Sequence, residues 1–160
     1  MKIRRFFDSK LVVLFCTVVL VSAAYSFYYH DRPRVDAEAY DAIAWNLVQG
    51  YGYVEQRRNA DNPAKDDAVV RVGPGYEFFL AALYKVFGHH IWVVWIFQAL
   101  LRGFSVLFMY NIARLLFPGE FSLSLAAAGI FGFAPDLIVV NGLLLTETLF
   151  LFLFLCSVYL

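Results

Sequence analysis

The apolar positions of the chain gather into four long runs, and its polar positions into one loop near the front. The first run, LVVLFCTVVLVSAAYSFYY at 11–29, approaches the roughly 20 residues that cross a hydrocarbon core. Its closing aromatics Phe27, Tyr28 and Tyr29 suit an interfacial belt. A second run at 91–117 opens with Trp92 and Trp95 and ends near Arg114. The third, 120–135, is dense in Ala and Gly, small residues that let membrane helices approach closely. Pro135-Asp136 and Asn141-Gly142 bracket its outer end. The fourth occupies 143–160. The pattern predicts an all-α polytopic membrane protein with about four transmembrane helices and a long extracytoplasmic loop, about 30–90, that carries short interfacial helices.

MKIRRFFDSK puts Lys2, Arg4, Arg5 and Lys10 before the first run, which places the N-terminus in the cytoplasm by the positive-inside bias. A basic start, an apolar stretch and VSAAYS also fit a cleaved signal peptide. The continuation of apolar character through Tyr29 favours an uncleaved span. Everything from about His30 to the second run then lies on the outer side, with charge concentrated between 30 and 75. Such a loop is the natural seat of polar chemistry.

Two stretches of the loop carry helical periodicity. In DAEAYDAIAWNLVQGYGYV (36–54), Tyr40, Ile43, Ala44, Leu47 and Val48 share one side, and Gly50 and Gly52 close the pattern. Asp36 stands where a helix-capping carboxylate accepts hydrogen bonds from free amides, worth about 0.5–2 kcal/mol. Glu38 in the first turn favours the helix dipole. Capping alone, with the apolar side resting on the membrane surface, accounts for this stretch without any chemistry. GPGYEFFLAALYKVFG (73–88) is apolar but too short to cross, and suits the interface.

Composition agrees with a bilayer solvent. The 160 residues are 61% hydrophobic and 19% aromatic but only 16% charged, against about 45–50% apolar and about 25% charged in soluble domains. Mean hydropathy is +0.64. The net charge of zero offers no basic surface for nucleic acid. Cys16 and Cys156 lie inside apolar runs and read as buried small hydrophobes, not as a disulfide framework.

The order of motifs adds an expectation about chemistry. DAEAYDAIAWNLVQGYG (36–52), RVGPGYEFFLAALYKVFG (71–88), YNIARLLF (110–117) and LLTETLF (144–150) follow one another in one chain. Together they resemble the N-terminal part of the GT-C membrane glycosyltransferases, with protein O-mannosyltransferase-like proteins and the lipid A aminoarabinose transferase the nearest by pattern. The resemblance runs from about residue 11 to 160. It implies transfer of a sugar, with inversion, from a polyprenyl-phosphate donor to a lipid, glycan or protein acceptor on the extracytoplasmic face, among membrane lipids. It also implies a first-loop acid as the catalytic group, and the matching residue is Asp36. A carboxylate there would accept or orient the acceptor's proton. Relatives often have two adjacent acids, whereas Ala37 separates Asp36 from Glu38 here, which leaves Asp36 the stronger candidate.

The candidate substrate-binding residues are Glu38, Tyr40, Arg71, Arg102 and Glu147. Arg71 sits beside the Gly73-Pro74-Gly75 turn, where a guanidinium suits a lipid phosphate or simply a surface. Arg102 lies about 11 residues, or roughly 17 Å, into the second span, where a lone charge is costly and functional by default. Gln98 shares its face. Glu147 is the other intramembrane charge. A structural pair, contacts to carrier or substrate, and partners in further spans all remain open for the two. No cofactor is certain; a divalent metal is a candidate, with Asp36 as a ligand. Asp36 and Glu38 make only two oxygen ligands, and His89-His90 lacks partners at ligand spacing, so the histidines are read as interfacial.

No lysine or arginine follows Arg114, so the last run has no cytoplasmic anchor, as expected of the N-terminal part of a larger protein. Two function classes stand side by side: a polyprenyl-phosphate-sugar glycosyltransferase localised to a bacterial inner membrane, and a non-enzymatic small membrane subunit, assembly factor or inactive fragment.

Overall fold

The computed structural model describes residues 9–30, 33–55 and 74–160. Among them the chain is all-helical, with α1 at Ser9–Tyr29, α2 at Asp36–Val48, α3 at Pro74–Phe87, α4 at Ile91–Leu116, α5 at Phe121–Gly132, α6 at Pro135–Gly142 and α7 at Glu147–Tyr159. α1 and α4 are each long and apolar enough to cross a membrane. α5 and α6 form a third candidate span, bent by 46° at the break between them. α7 is a shorter apolar helix. The chain is an integral, polytopic all-α membrane protein.

α4 is the central post, packed by α1, α5 and α7. Small residues set how close they come. A methyl group on Gly103 would lie 2.6 Å from Val19 Cγ2 and 2.7 Å from Phe15 Cε2 of α1. One on Gly132 would lie 2.7 Å from Val18 Cγ2 and 3.0 Å from Val106 Cγ2. Backbones therefore approach where a Cβ is missing, as in membrane bundles generally. Val18, Val106 and Ala128 make a small core at this crossing.

α2 and α3 lie over the other end of the bundle and build a second, larger core. Ala37, Tyr40 and Ala44 of α2 meet Tyr76, Leu80, Leu83 and Tyr84 of α3, together with Val94, Trp95 and Leu144. The apolar side of α2 thus packs on protein; the expectation that it rests on the membrane surface is corrected. Pro74 opens α3 at the position where its missing N–H is harmless. Gly50 and Gly88, at φ of 82° and 83°, take the left-handed conformation that ends α2 and α3.

Several sequence expectations meet a different local geometry. Asp36 is the first helical residue and not the cap: Val35 holds that place, at φ 53°, with no side-chain cap bond. The stretch around Pro135 is not merely a bracket, because Pro135 starts the new helix α6 after non-helical Phe133 and Ala134. The fourth apolar run starts its helix only at Glu147, leaving 143–146 irregular. Cys16 is on the outer surface of the candidate span α1 and Cys156 is half-buried in α7.

Candidate functional site

The sequence candidates divide between two levels of the bundle. Asp36 and Glu38 are exposed on the first turn of α2, and Tyr40 one turn on is buried. The Asp36 side chain makes no hydrogen bond or ion pair among the described residues. Its carboxylate lies beside the free amides of α2, where the helix dipole favours negative charge.

Tyr40 is the meeting point. Its ring packs edge-on against Tyr76 at 5.3 Å. Burial raises the Tyr40 phenol above its ordinary range, and the charges of Asp36, Glu77 and Glu147 raise it further, while the Thr146 hydroxyl works the other way. Carboxylates from α2, α3 and the start of α7 therefore all act on one phenol. Glu147 stands at the first residue of α7, exposed, at the same level. Of the sequence candidates, Asp36, Tyr40 and Glu147 come together. Arg71 lies outside the described residues.

Glu77 is the acid that sequence reasoning missed. It is fully buried, and its Oε1 accepts a 2.8 Å hydrogen bond from the Tyr53 hydroxyl. Its Oε2 has no partner. An unpaired buried carboxylate oxygen is costly, so its presence beside Tyr40 is a feature to be explained by the site. Burial and the bond to Glu77 hold the Tyr53 phenol well above its ordinary range. Burial does the same to Tyr76, helped by Glu147. The available signal was a glutamate in the first turn of an otherwise apolar helix, two residues after Gly75.

Arg102 belongs elsewhere. It is buried in α4, and its Nη2 donates to the Gly132 carbonyl at 2.5 Å. That carbonyl is freed where α5 stops, so the arginine satisfies the break in the third span. Its Nε is unpartnered, in a small cleft with Ser105, Phe131, Leu137 and Thr148. Arg102 and Glu147 do not pair: Glu147 stays at the Tyr40 level while Arg102 turns to Gly132. The direct ion pair among the sequence alternatives is thereby corrected.

A second polar cluster flanks α2. His89 Nε2 contacts Asp41 Oδ1 at 2.9 Å and Oδ2 at 3.1 Å. The Tyr84 hydroxyl donates to Asp41 Oδ1 at 2.5 Å. The His89 ring stacks on Trp45 at 4.6 Å. His89 therefore docks α2 through Asp41 and Trp45. Among the described residues no three His, Cys, Asp or Glu side chains converge as a metal site.

The family model for dolichyl-phosphate-mannose-protein mannosyltransferase matches residues 71–160, more than half of the chain, from just before α3 through α7. No significant match was found among curated proteins or among solved structures. By that match and its all-helical membrane fold, the chain belongs to the dolichyl-phosphate-mannose-protein mannosyltransferase family, membrane glycosyltransferases of the GT-C type.

Proposed function

We propose that the protein moves a sugar from a polyprenyl-phosphate-linked donor to an acceptor on the extracytoplasmic face, with inversion, and that Asp36 is its catalytic acid/base group. The observation that carries the reading is the exposed, unpaired Asp36 carboxylate at the start of α2, beside Tyr40 and the acids Glu77 and Glu147. Family membership supplies the transferase class, a glycosyl donor and an acceptor.

In this reaction Asp36 takes the proton of the acceptor nucleophile as that atom forms its bond to the anomeric carbon. The bond from that carbon to the phosphate oxygen breaks, and the lipid phosphate leaves with the electron pair. One displacement gives one inversion. A positioned base contributes about 10²–10⁴-fold to such a step. Glu38 and Glu147 are assigned to hydrogen bonds from sugar hydroxyls, and Tyr40 to the donor. Arg71 and Arg102 are assigned to the donor phosphate and to the support of the third span respectively. The protein sits in a bacterial inner membrane with its N-terminus on the cytoplasmic side.

The reading is tested by incubating the full-length protein in proteoliposomes with polyprenyl-phosphate-mannose of known anomeric configuration. Transfer of mannose with the opposite configuration in the product is expected. A product of retained configuration contradicts a single displacement, and transfer from a nucleotide sugar without the lipid donor contradicts the donor class.

A further inference from the structure

Gln98 is fully buried in α4, about 10 Å from the start of that helix at 1.5 Å per residue. Every hydrogen-bonding group of its amide is used in a way that fixes its orientation. Oε1 accepts from the Tyr76 hydroxyl. Nε2 donates to the carbonyls of Asn141 at 2.8 Å and Leu143 at 2.9 Å. A reversed amide would set its oxygen against two carbonyls, so only one orientation satisfies all three partners.

The two carbonyls are those released where α6 ends and the irregular stretch 143–146 begins. Non-helical backbone within a membrane bundle survives only where protein groups satisfy it. A bare donor would have met that need. Gln98 does more, because its other end grips Tyr76, whose ring supports Tyr40 from 5.3 Å away. The stretch it holds carries Leu144 into the same core as Ala37 and Tyr40, and leads directly to Thr146 and Glu147. From its far side, Asn141 Nδ2 reaches Ser26 Oγ at 3.1 Å and the Ser22 carbonyl at 3.5 Å, which ties the seam to α1.

We propose that Gln98 is a positioning residue of the transferase site, acting through Tyr76 and the 143–146 stretch to hold Tyr40 and Glu147 against Asp36. The role rests on the assignment of Asp36 above. Nothing in the sequence marks it beyond a glutamine within an apolar span.

The test compares wild type, Gln98→Met, Gln98→Glu and Tyr76→Phe in the full-length protein in lipid nanodiscs. Gln98→Met keeps length and removes every hydrogen bond. Gln98→Glu keeps the acceptor for Tyr76 and turns a carboxylate oxygen toward two carbonyls. Tyr76→Phe spares the 143–146 contacts and provides a folded variant if the others fail. Spin labels at Asp36→Cys and Glu147→Cys, on an otherwise cysteine-free background, report the separation of the two site elements. A narrow distribution is expected in wild type, broadened or lengthened in both Gln98 variants, with a label pair along α4 unchanged. With polyprenyl-phosphate-mannose as donor, kcat per folded molecule is expected to fall ~10- to 100-fold in both Gln98 variants and less in Tyr76→Phe, with KM changed less than about twofold. The Gln98→Met/Tyr76→Phe double variant is expected to be no slower than Gln98→Met. A Gln98 variant that keeps the narrow distribution or the wild-type kcat per folded molecule overturns the positioning role alone; should neither fold, Tyr76→Phe with unchanged kcat overturns it. A wild-type protein with no transfer overturns the assignment of Asp36, and this role with it.

Discussion

His89 and Asp41 close the turn between α3 and α4 onto α2, with Nε2 at 2.9 and 3.1 Å from the two carboxylate oxygens. Tyr84 donates to the same carboxylate and Trp45 stacks on the imidazole, so the pair joins α2 to the helices that support it. It is also partly exposed, at 34% for His89 and 18% for Asp41, which limits its strength. Replacing Asp41 by asparagine or His89 by alanine is expected to cost about 1–2 kcal/mol. The two substitutions together should cost less than their sum, because each removes the same contact. Unfolding of the purified protein in detergent checks both values.

The phenols of Tyr40, Tyr53, Tyr76 and Tyr84 are all held above their ordinary range, by burial first and by neighbouring carboxylates second. In the unfolded chain they ionise near pH 10. Stability from these groups is therefore fully present below about pH 10. It falls as pH rises further, since the unfolded state then releases protons that the folded state keeps. Tyrosinate absorbance is expected to rise in two steps: exposed phenols first, then these four together with loss of helical circular dichroism. A single step near pH 10 with the fold intact contradicts the burial.

Glu77→Gln separates the charge of that residue from its shape. The Tyr53 hydrogen bond has a carbonyl oxygen to use in the variant, and the unpartnered Oε2 becomes an amide nitrogen. Stability is expected to change by no more than about 1 kcal/mol, against about 2–5 kcal/mol lost in Glu77→Ala, where the Tyr53 hydroxyl loses its bond to Glu77 and a void opens. Removing the charge should also bring the Tyr40 and Tyr53 ionisations down, because Glu77 contributes to holding both up. The spectrophotometric titration of the variant reads that shift.

Helix approach at the lower crossing is set by Gly103 and Gly132, whose added methyl groups would meet Phe15, Val18, Val19 and Val106 at 3.0 Å or less. Alanine at either position is expected to cost about 1–3 kcal/mol through overpacking. On the same helix as Gly132, a methyl group added to Gly129 would meet nothing within 4 Å. Alanine there should be neutral or stabilising, by up to about 1 kcal/mol. Equal losses at Gly129 and Gly132 would contradict close packing as the cause.

Length and hydropathy alone made α1 and α4 legible, because a run of that size has one inexpensive solvent. The short helices α2 and α3 were legible from 3.6-residue periodicity and the glycines that end them. The break at 143–146 was not, since Leu143, Leu144 and Leu145 continue the apolar run and only Thr146-Glu147-Thr148 interrupts it. The carbonyls left open there are met by Gln98, more than forty positions away in the chain and silent in any local pattern. Asp36, Tyr40 and Glu147 were legible as candidates through motif order, whereas their meeting at one phenol depends on α2 packing across the end of the bundle. Glu77 and Tyr53, and Asp41 and His89, are likewise partners that only the fold brings together.

If the unpaired carboxylate of Asp36 takes the acceptor's proton, its loss must slow the chemical step and little else. Sugar transfer from polyprenyl-phosphate-mannose should be measured in a single turnover, with the full-length wild type and Asp36→Asn, both shown to be folded. A fall of about 10²–10⁴-fold in the chemical step is predicted, with donor binding nearly unchanged. Transfer by Asp36→Asn at the wild-type rate would contradict the catalytic role of Asp36.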